Sequence, residues 1–246
     1  MAIVGWEKRY SEILKEFGFI KKSDLKSAKL LNSILKTKFP TNKLRKKVLK
    51  QNVFVIGAGP SLTSCIPILK KYSNITKIVA DGAAKALIEN DILPDILVTD
   101  LDGEKESLIK IGKEKTIMVV HAHGDNLDKL EMASQFKNCI GTTETKQFGK
   151  IHNFGGFTDG DRCVFLGNHF KAKRIILFGM DFGYKIGKYS KSKIKNKNIK
   201  IKKLRRGKKL LEWLATKNSS ELYTTSTSIK GFKKITFNEL ESLLAN

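Results

Sequence analysis

The 246-residue sequence predicts an α/β protein with a mainly parallel, doubly wound sheet behind an N-terminal helical segment. Three observations predict it. From Asn52 onward, short apolar runs alternate with stretches of helical period, the pattern of successive βαβ crossovers. The runs are rich in Val, Ile and Leu without polar alternation, as strands covered on both faces are. Polar, glycine-containing clusters follow the runs at their carboxyl ends, where open parallel sheets bind ligands.

Residues 1–51 read as the helical segment. Trp6, Tyr10, Ile13, Leu14 and Phe17 recur three and four apart, and a second helix after Ser23 is marked by Leu25, Ala28, Leu31 and Leu35. Phe39-Pro40-Thr41-Asn42 breaks the pattern ahead of a basic stretch that ends near Gln51. The second unit, 52–246, is the α/β domain. Its expected strands are Val53–Ile56, Lys77–Ala80, Ile96–Thr99, Ile117–Val120, Asn138–Thr142, Arg174–Phe178 and Glu221–Thr224. Its expected helices are Leu62–Tyr72, Ala83–Glu89, Lys105–Gly112, Leu127–Phe136, Asp159–Phe170, Lys208–Thr216 and Asn238–Leu244. No internal repeat or Gly/Ser linker interrupts the series.

Composition narrows the function classes. A hydrophobic content of 41% beside 29% charged residues supports a core and excludes disorder of the whole chain. No run approaches the ~18–20 apolar residues of a membrane span, and Met1–Tyr10 lacks the apolar centre of a secretory leader. A cytoplasmic protein with no membrane partner is therefore expected. Cys65, Cys139 and Cys163 are widely separated with no CxxC pair, so buried thiols are expected rather than disulfides or an all-cysteine zinc site.

Lys and Arg number 47 against 24 acids, a net charge of +23, and thirteen of them fall between Lys185 and Lys209 with no acid among them. This Lys-rich insertion, 185–209, reads first as a solvated loop, which can steer an anionic small substrate. A nucleic-acid-binding function resting on the tract is the alternative, although few aromatic residues interleave it.

The chemistry-bearing residues sit in the strand-end clusters. Gly57-Ala58-Gly59-Pro60-Ser61 joins the first strand to a helix, so its backbone N–H groups can cradle phosphate; Gly57, Gly59, Pro60 and Ser61 are candidate nucleotide contacts. It lacks the Lys of a P-loop, and Leu62 stands where a dinucleotide fingerprint has its third glycine. Asp81, 24 residues beyond Gly57, could hold a ribose in a dinucleotide oxidoreductase, or a nucleotide or acceptor in another enzyme.

Asp100-Leu101-Asp102 follows the third strand. A spacing of two turns both carboxylates to one side while the chain stays extended, and two hard oxygen ligands suit Mg²⁺. His121-Ala122-His123-Gly124-Asp125 follows the fourth strand. It has the H-x-H-x-D look of a binuclear metallohydrolase, with His152 and His169 as further ligands, but Asn126 replaces the usual next histidine. His121, His123 and Asp125 are candidate phosphate or base contacts instead. Thr142-Thr143 and Gly179-Met180-Asp181 end two later strands, and Thr158-Asp159-Gly160-Asp161-Arg162 opens a helix. There Thr158 and Arg162 can meet anionic oxygen and Asp159 can join the metal, although a plain N-cap explains the spacing too.

Several strings, in order, resemble one family: GAGPSL from Gly57, ADGA from Ala80, PDILVTDLDG from Pro94, HAHGDN from His121, GTT from Gly141, NFGGFTDGDR from Asn153 and GMDFG from Gly179. They resemble the archaeal 6-hydroxymethyl-7,8-dihydropterin diphosphokinases of the MptE type, whose catalytic core is similar to that of thiamine pyrophosphokinases. The likeness covers most of residues 52–185. It implies a Rossmann-like, thiamine-pyrophosphokinase-like core that moves a diphosphate from Mg-ATP to the hydroxymethyl group of a reduced pterin and releases AMP. The product would serve tetrahydrofolate or methanopterin synthesis.

The HAHGDN string departs from the thiamine enzymes and argues against thiamine as acceptor, which stays an alternative. On the implied mechanism Asp100, Asp102 and Asp159 are catalytic and hold Mg²⁺, with ATP as co-substrate. The glycine turn, Thr158 and Arg162 meet phosphate. Asp81, His121, His123, Asp125 and Thr142 complete the candidate nucleotide or pterin contacts. ATP and the pterin are the expected partners, nucleic acid is not, and the oligomeric state, a homo-oligomer included, stays open.

Overall fold

The structure is a computed structural model, and it describes residues 3–190, 197–217 and 219–245. Three helices open the chain: α1 (Trp6–Phe17), α2 (Lys21–Ile34) and α3 (Thr41–Val48). α1 forms because Trp6, Tyr10 and Ile13 share one buried face, and it stops at Gly18, whose φ of 69° lets its N–H turn back to the Leu14 carbonyl. α3 converts the basic stretch before Gln51 into a helix that buries Leu44 and Val48.

The strands are β1 (Asn52–Ile56), β2 (Thr76–Ala80), β3 (Ile96–Thr99), β4 (Ile117–His121), β5 (Cys139–Thr142), β6 (Ile151–His152), β7 (Arg174–Phe178), β8 (Glu221–Thr224) and β9 (Lys233–Lys234). Between them lie α4 (Leu62–Lys71), α5 (Ala84–Ile88), α6 (Lys105–Gly112), α7 (Asp159–His169) and α8 (Lys197–Ala215), and α9 (Phe237–Ala245) follows β9. Among the described residues the strands form one sheet in the order β6-β5-β4-β3-β2-β1-β7-β8-β9, with every pair parallel. The predicted α/β class holds.

Alternation along the strands separates two cores. Val53, Val55, Ile78, Val98 and Ile175 pack with α1, α3, α7 and α8 on one face. Phe54, Ile56, Val79, Leu97 and Phe178 pack with α2, α4, α5 and α6 on the other. The N-terminal helices thus divide between faces, α1 with one core and α2 with the other. The strand order reverses at β1 and β7, and that switch point positions the cleft described below.

Four expectations change. Residues Leu127–Gln135 wind as a 3-10 helix, not an α-helix, because the inward positions Leu127, Leu130, Ala133 and Phe136 recur every third residue. The helix expected at Lys208–Thr216 begins at Lys197, so the basic tract from there onward is helical rather than loop, while its residues 191–196 lie outside those described. β6 and β9 are two-residue strands with no apolar run to announce them. Cys65 and Cys163 are buried as expected, but Cys139 is only partly so. Among the described residues no helix is long and apolar enough to cross a membrane.

Candidate active site

The loops after β1, β2, β3 and the start of α7 converge at the carboxyl end of the sheet. There Asp81, Asp100 and Asp159 offer one oxygen each, all within 4.8 Å of one another. Asp81 is fixed from behind: its Oδ2 accepts hydrogen bonds from the Thr99 hydroxyl at 2.7 Å and from the Gly103 N–H at 3.0 Å. Glycine is required at 103, since a Cβ there would lie 1.8 Å from Asp81 Oδ1.

The spacing argument that paired Asp100 with Asp102 fails at Leu101. This residue takes a φ of 64°, so the chain turns and the extended side-sharing of i and i+2 is lost. The turn is costly for a branched side chain, and it is held by burial of Leu101 and by its N–H bonding Thr99 Oγ at 2.7 Å. Asp102 instead pairs with the Lys129 ammonium, and Asp81 takes the third place in the cluster. Asp81 is correspondingly directed to the cluster, not to the ribose position of a dinucleotide enzyme.

Asp159 is oriented by Arg162, whose Nη1 donates to it at 3.1 Å while Nη2 donates to Glu144 Oε1 at 2.5 Å. Arg162 is 7% exposed and spends its charge on these carboxylates, so it acts as a positioning group and not as the phosphate contact expected. Glu144 Oε2 lies 2.7 Å from His121 Nε2, and His121 Nδ1 lies 3.1 Å from Thr142 Oγ. Burial, with Arg162 nearby, pushes His121 down to about 4, so it is neutral at pH 7. Burial alone would raise the Glu144 carboxyl, but His121 and Arg162 outweigh it and hold it well below the usual range. His121 and Thr142 therefore belong to a buried support for Arg162.

Other expected contacts are engaged within the chain. Asp161 accepts the N–H groups of Phe157 and Thr158 at 2.6 and 2.8 Å and pairs with the Thr158 hydroxyl, which caps α7. Ser61 gives its N–H and its hydroxyl to Asp181 Oδ2, both at 3.0 Å. Gly57 and Gly59 admit the loop after β7: a Cβ on Gly57 would meet Met180 Sδ at 2.5 Å, and one on Gly59 would meet Asp181 Oδ2 at 2.1 Å. The histidines that a metallohydrolase would gather stay apart, since His152 and His169 both pack on the Phe154 ring. His123 stays near the cluster, with Nε2 3.7 Å from Asp100 Oδ2, and Asp125 is exposed beside it.

Two compartments meet at this cluster, sharing Asp100, Phe157 and Lys203. The first, about 950 Å³ with its mouth, lies at the β1/β7 switch point and is lined by Gly57–Pro60, Asp159, Asp181, Lys185 and Lys200. The second, about 770 Å³ with its mouth, is lined by Tyr10, Phe19, Ser23, Asp24, His123, Asp125, Glu144 and Arg162. Sequence reasoning missed Asp24 and Glu144 as site residues and reached Lys185, Lys200 and Lys203 only as members of a tract that can steer an anionic substrate. Lys200 and Lys203 were signalled by their spacing of three along one helix face. Glu144 follows the Thr142-Thr143 strand end, and nothing local marked Asp24.

Over residues 26–187 the chain matches the family described as 6-hydroxymethylpterin diphosphokinase MptE-like. Two archaeal proteins named 6-hydroxymethyl-7,8-dihydropterin pyrophosphokinase are similar along most of its length. That of Methanocaldococcus jannaschii is 45% identical over 229 residues, covering 86% of this chain and 95% of its own. That of Pyrococcus furiosus is 41% identical over 225 residues, covering 88% and 96%. Among solved structures, the MAf glycosyltransferase of Magnetospirillum magneticum AMB-1 is similar with a TM-score of 0.52 at 14% identity, over 89% of this chain and 41% of that one. That likeness, to a glycosyltransferase rather than a thiamine pyrophosphokinase, shows the α/β fold alone. The family match runs from α2 past Asp181 and includes Asp81, Asp100, Asp159, Glu144 and Arg162, and with 45% identity across most of both chains it settles kinship: the chain belongs to the MptE-like family.

Proposed function

We propose that the protein is a 6-hydroxymethyl-7,8-dihydropterin diphosphokinase that transfers the terminal diphosphate of ATP to the acceptor hydroxymethyl group and releases AMP, for tetrahydrofolate or methanopterin synthesis. The observation that carries this reading is the three-carboxylate cluster at the junction of two compartments, the first of which sets Lys185, Lys200 and Lys203 beside it. The family resemblance supplies the substrate class. An all-oxygen set of carboxylates fits Mg²⁺, a hard cation that takes oxygen ligands and keeps several positions for water and phosphate oxygen. Asp81, Asp100 and Asp159 would hold it, and when bound it supplies charge neutralisation to the polyphosphate.

The chain's own residues do the rest. The Gly57–Pro60 turn, Lys185, Lys200 and Lys203 line the compartment assigned to ATP and offset the charge of its phosphates. The acceptor oxygen attacks the β-phosphorus, the bond from that phosphorus to the α–β bridging oxygen breaks, and AMP leaves. His123, beside Asp100 at the junction, is placed to take the hydroxyl proton. Arg162 and Glu144 hold Asp159 in place throughout, which suits a reaction that depends mainly on positioning and electrostatics. The basic residues line a cleft, an arrangement for a small anion more than for a duplex.

AMP release from Mg-ATP by the purified protein, with reduced hydroxymethylpterin, thiamine or no acceptor, tests the proposal. AMP and a diphosphorylated pterin formed only with the pterin are expected. No AMP from folded protein that binds ATP, or equal release with thiamine, would overturn it.

A further inference from the structure

We propose that the N-terminal helices build the acceptor pocket, and that the Asp24 carboxylate in the second compartment binds the paired N–H donors of the reduced pterin's aminopyrimidine edge. This rests on the diphosphokinase reading and adds which compartment and which residues choose the acceptor.

Charge separates the compartments. In the first, Lys185, Lys200 and Lys203 balance Asp100, Asp159 and Asp181, whereas in the second Asp24, Asp100, Asp125 and Glu144 outnumber Arg162 and Lys203, which disfavours a polyphosphate. A pterin carries an amino group and a ring N–H side by side. An ionised carboxylate accepts hydrogen bonds only, and it accepts two parallel donors in one plane. Adenine offers no such adjacent pair on its amino edge, where a donor stands beside an acceptor nitrogen.

Asp24 is built to do this. It is 6% exposed, its Oδ1 accepts the Gly124 N–H at 2.8 Å, and its Oδ2 pairs with the Tyr10 hydroxyl. These bonds fix the carboxylate plane and use two of about four acceptor positions. The loop after β4 is pressed onto it, because a Cβ at Gly124 would meet Ser23 Cβ at 2.8 Å. The strand-end loop that carries His123 and the helix that carries Asp24 therefore act as one wall. Phe19 and Phe157, with ring centroids 6.3 Å apart, supply apolar surface, and Lys203 stands over both rings at the junction. An acceptor anchored at Asp24 has its far side toward Asp100, which both compartments share.

The test uses the full chain with Asp24→Asn and, because a buried substitution can disturb folding, Ile20→Trp at a position 65% exposed on the rim of the same compartment. Three quantities are read: binding of fluorescent 6-hydroxymethylpterin, KM for the reduced pterin, and ATP affinity. Asp24→Asn should weaken pterin binding and raise its KM roughly 30-fold or more, as loss of a charge-assisted pair does, and Ile20→Trp roughly 10-fold, with ATP affinity unchanged in both. Unchanged pterin binding in both variants overturns the proposal, and so does a loss confined to ATP affinity. If wild-type protein forms no AMP with the pterin, the diphosphokinase reading itself has failed, an outcome seen before any variant is made.

Discussion

The loops at the carboxyl ends of β1 to β4 and the helices that wall the cleft hold their chemistry by different means. In the loops, the Leu101 turn, the N–H of Gly103 and the Thr99 hydroxyl tie together the ends of the neighbouring strands β2 and β3 and so set Asp81 and Asp100. In the walls, side chains carried by helices meet other elements: Arg162 of α7 bonds Glu144, Asp24 of α2 accepts the Gly124 N–H, and Lys200 and Lys203 of α8 line the strand-end cleft. On the proposed reading, the metal centre stands mainly on strand-end loops, with Asp159 added from α7, whereas the helices supply the walls that meet the substrates. A diphosphotransferase can keep one centre and change its walls.

The comparison breaks most visibly at the centre. Asp100→Asn and Asp159→Asn should each lower AMP release by ~10³-fold or more; Asp100→Asn should not lower the melting temperature, because it relieves repulsion among clustered carboxylates, while Asp159→Asn also gives up the pair with Arg162. Asp102→Asn, whose carboxylate pairs with Lys129, should cost at most ~10-fold. Equal losses in Asp100→Asn and Asp102→Asn, assayed side by side, would contradict this division of roles.

The support behind the centre comes next. Arg162→Met should destabilise by about 3–5 kcal/mol, measured by urea denaturation, because Glu144 is left buried and uncompensated. A smaller effect comes from the basic wall: Lys200→Ala should raise KM for ATP about 3- to 10-fold, and the ratio to wild type should shrink in high salt. An effect that appears only on acidification concerns His169, which burial pushes down to about 4. It stays neutral in the folded protein but takes up a proton near pH 6.5 when unfolded, so it removes stability as pH falls from about 6.5 toward 4. His169→Gln should flatten the pH dependence of the denaturation midpoint in that window, by no more than ~1.4 kcal/mol per pH unit.

Much of the frame was legible. Runs such as Val53–Ile56 and Ile175–Phe178 became central strands because they are short, rich in β-branched residues and apolar on both faces, as a strand covered on both sides is. The strand-end clusters came together because a parallel sheet aligns its carboxyl ends. Illegible was whatever depends on one dihedral or one distant partner. Nothing in Asp100-Leu101-Asp102 announces the turn at Leu101, so Asp102 was expected where Asp81 stands. Asp24 reads as an ordinary helix residue until Gly124 and Tyr10 meet it. The first turns of α8 were hidden by their many lysines and by having no fully buried residue before Gly207.

The most direct test of the account is the Mg²⁺ dependence of ATP binding, by calorimetry, in the wild type, Asp100→Asn and Asp102→Asn. The account predicts that Mg²⁺ tightens ATP binding in the wild type and in Asp102→Asn, and that the gain is absent in Asp100→Asn. A gain kept by Asp100→Asn and lost by Asp102→Asn would contradict it, and the reacting centre would have to be rebuilt around the other carboxylate.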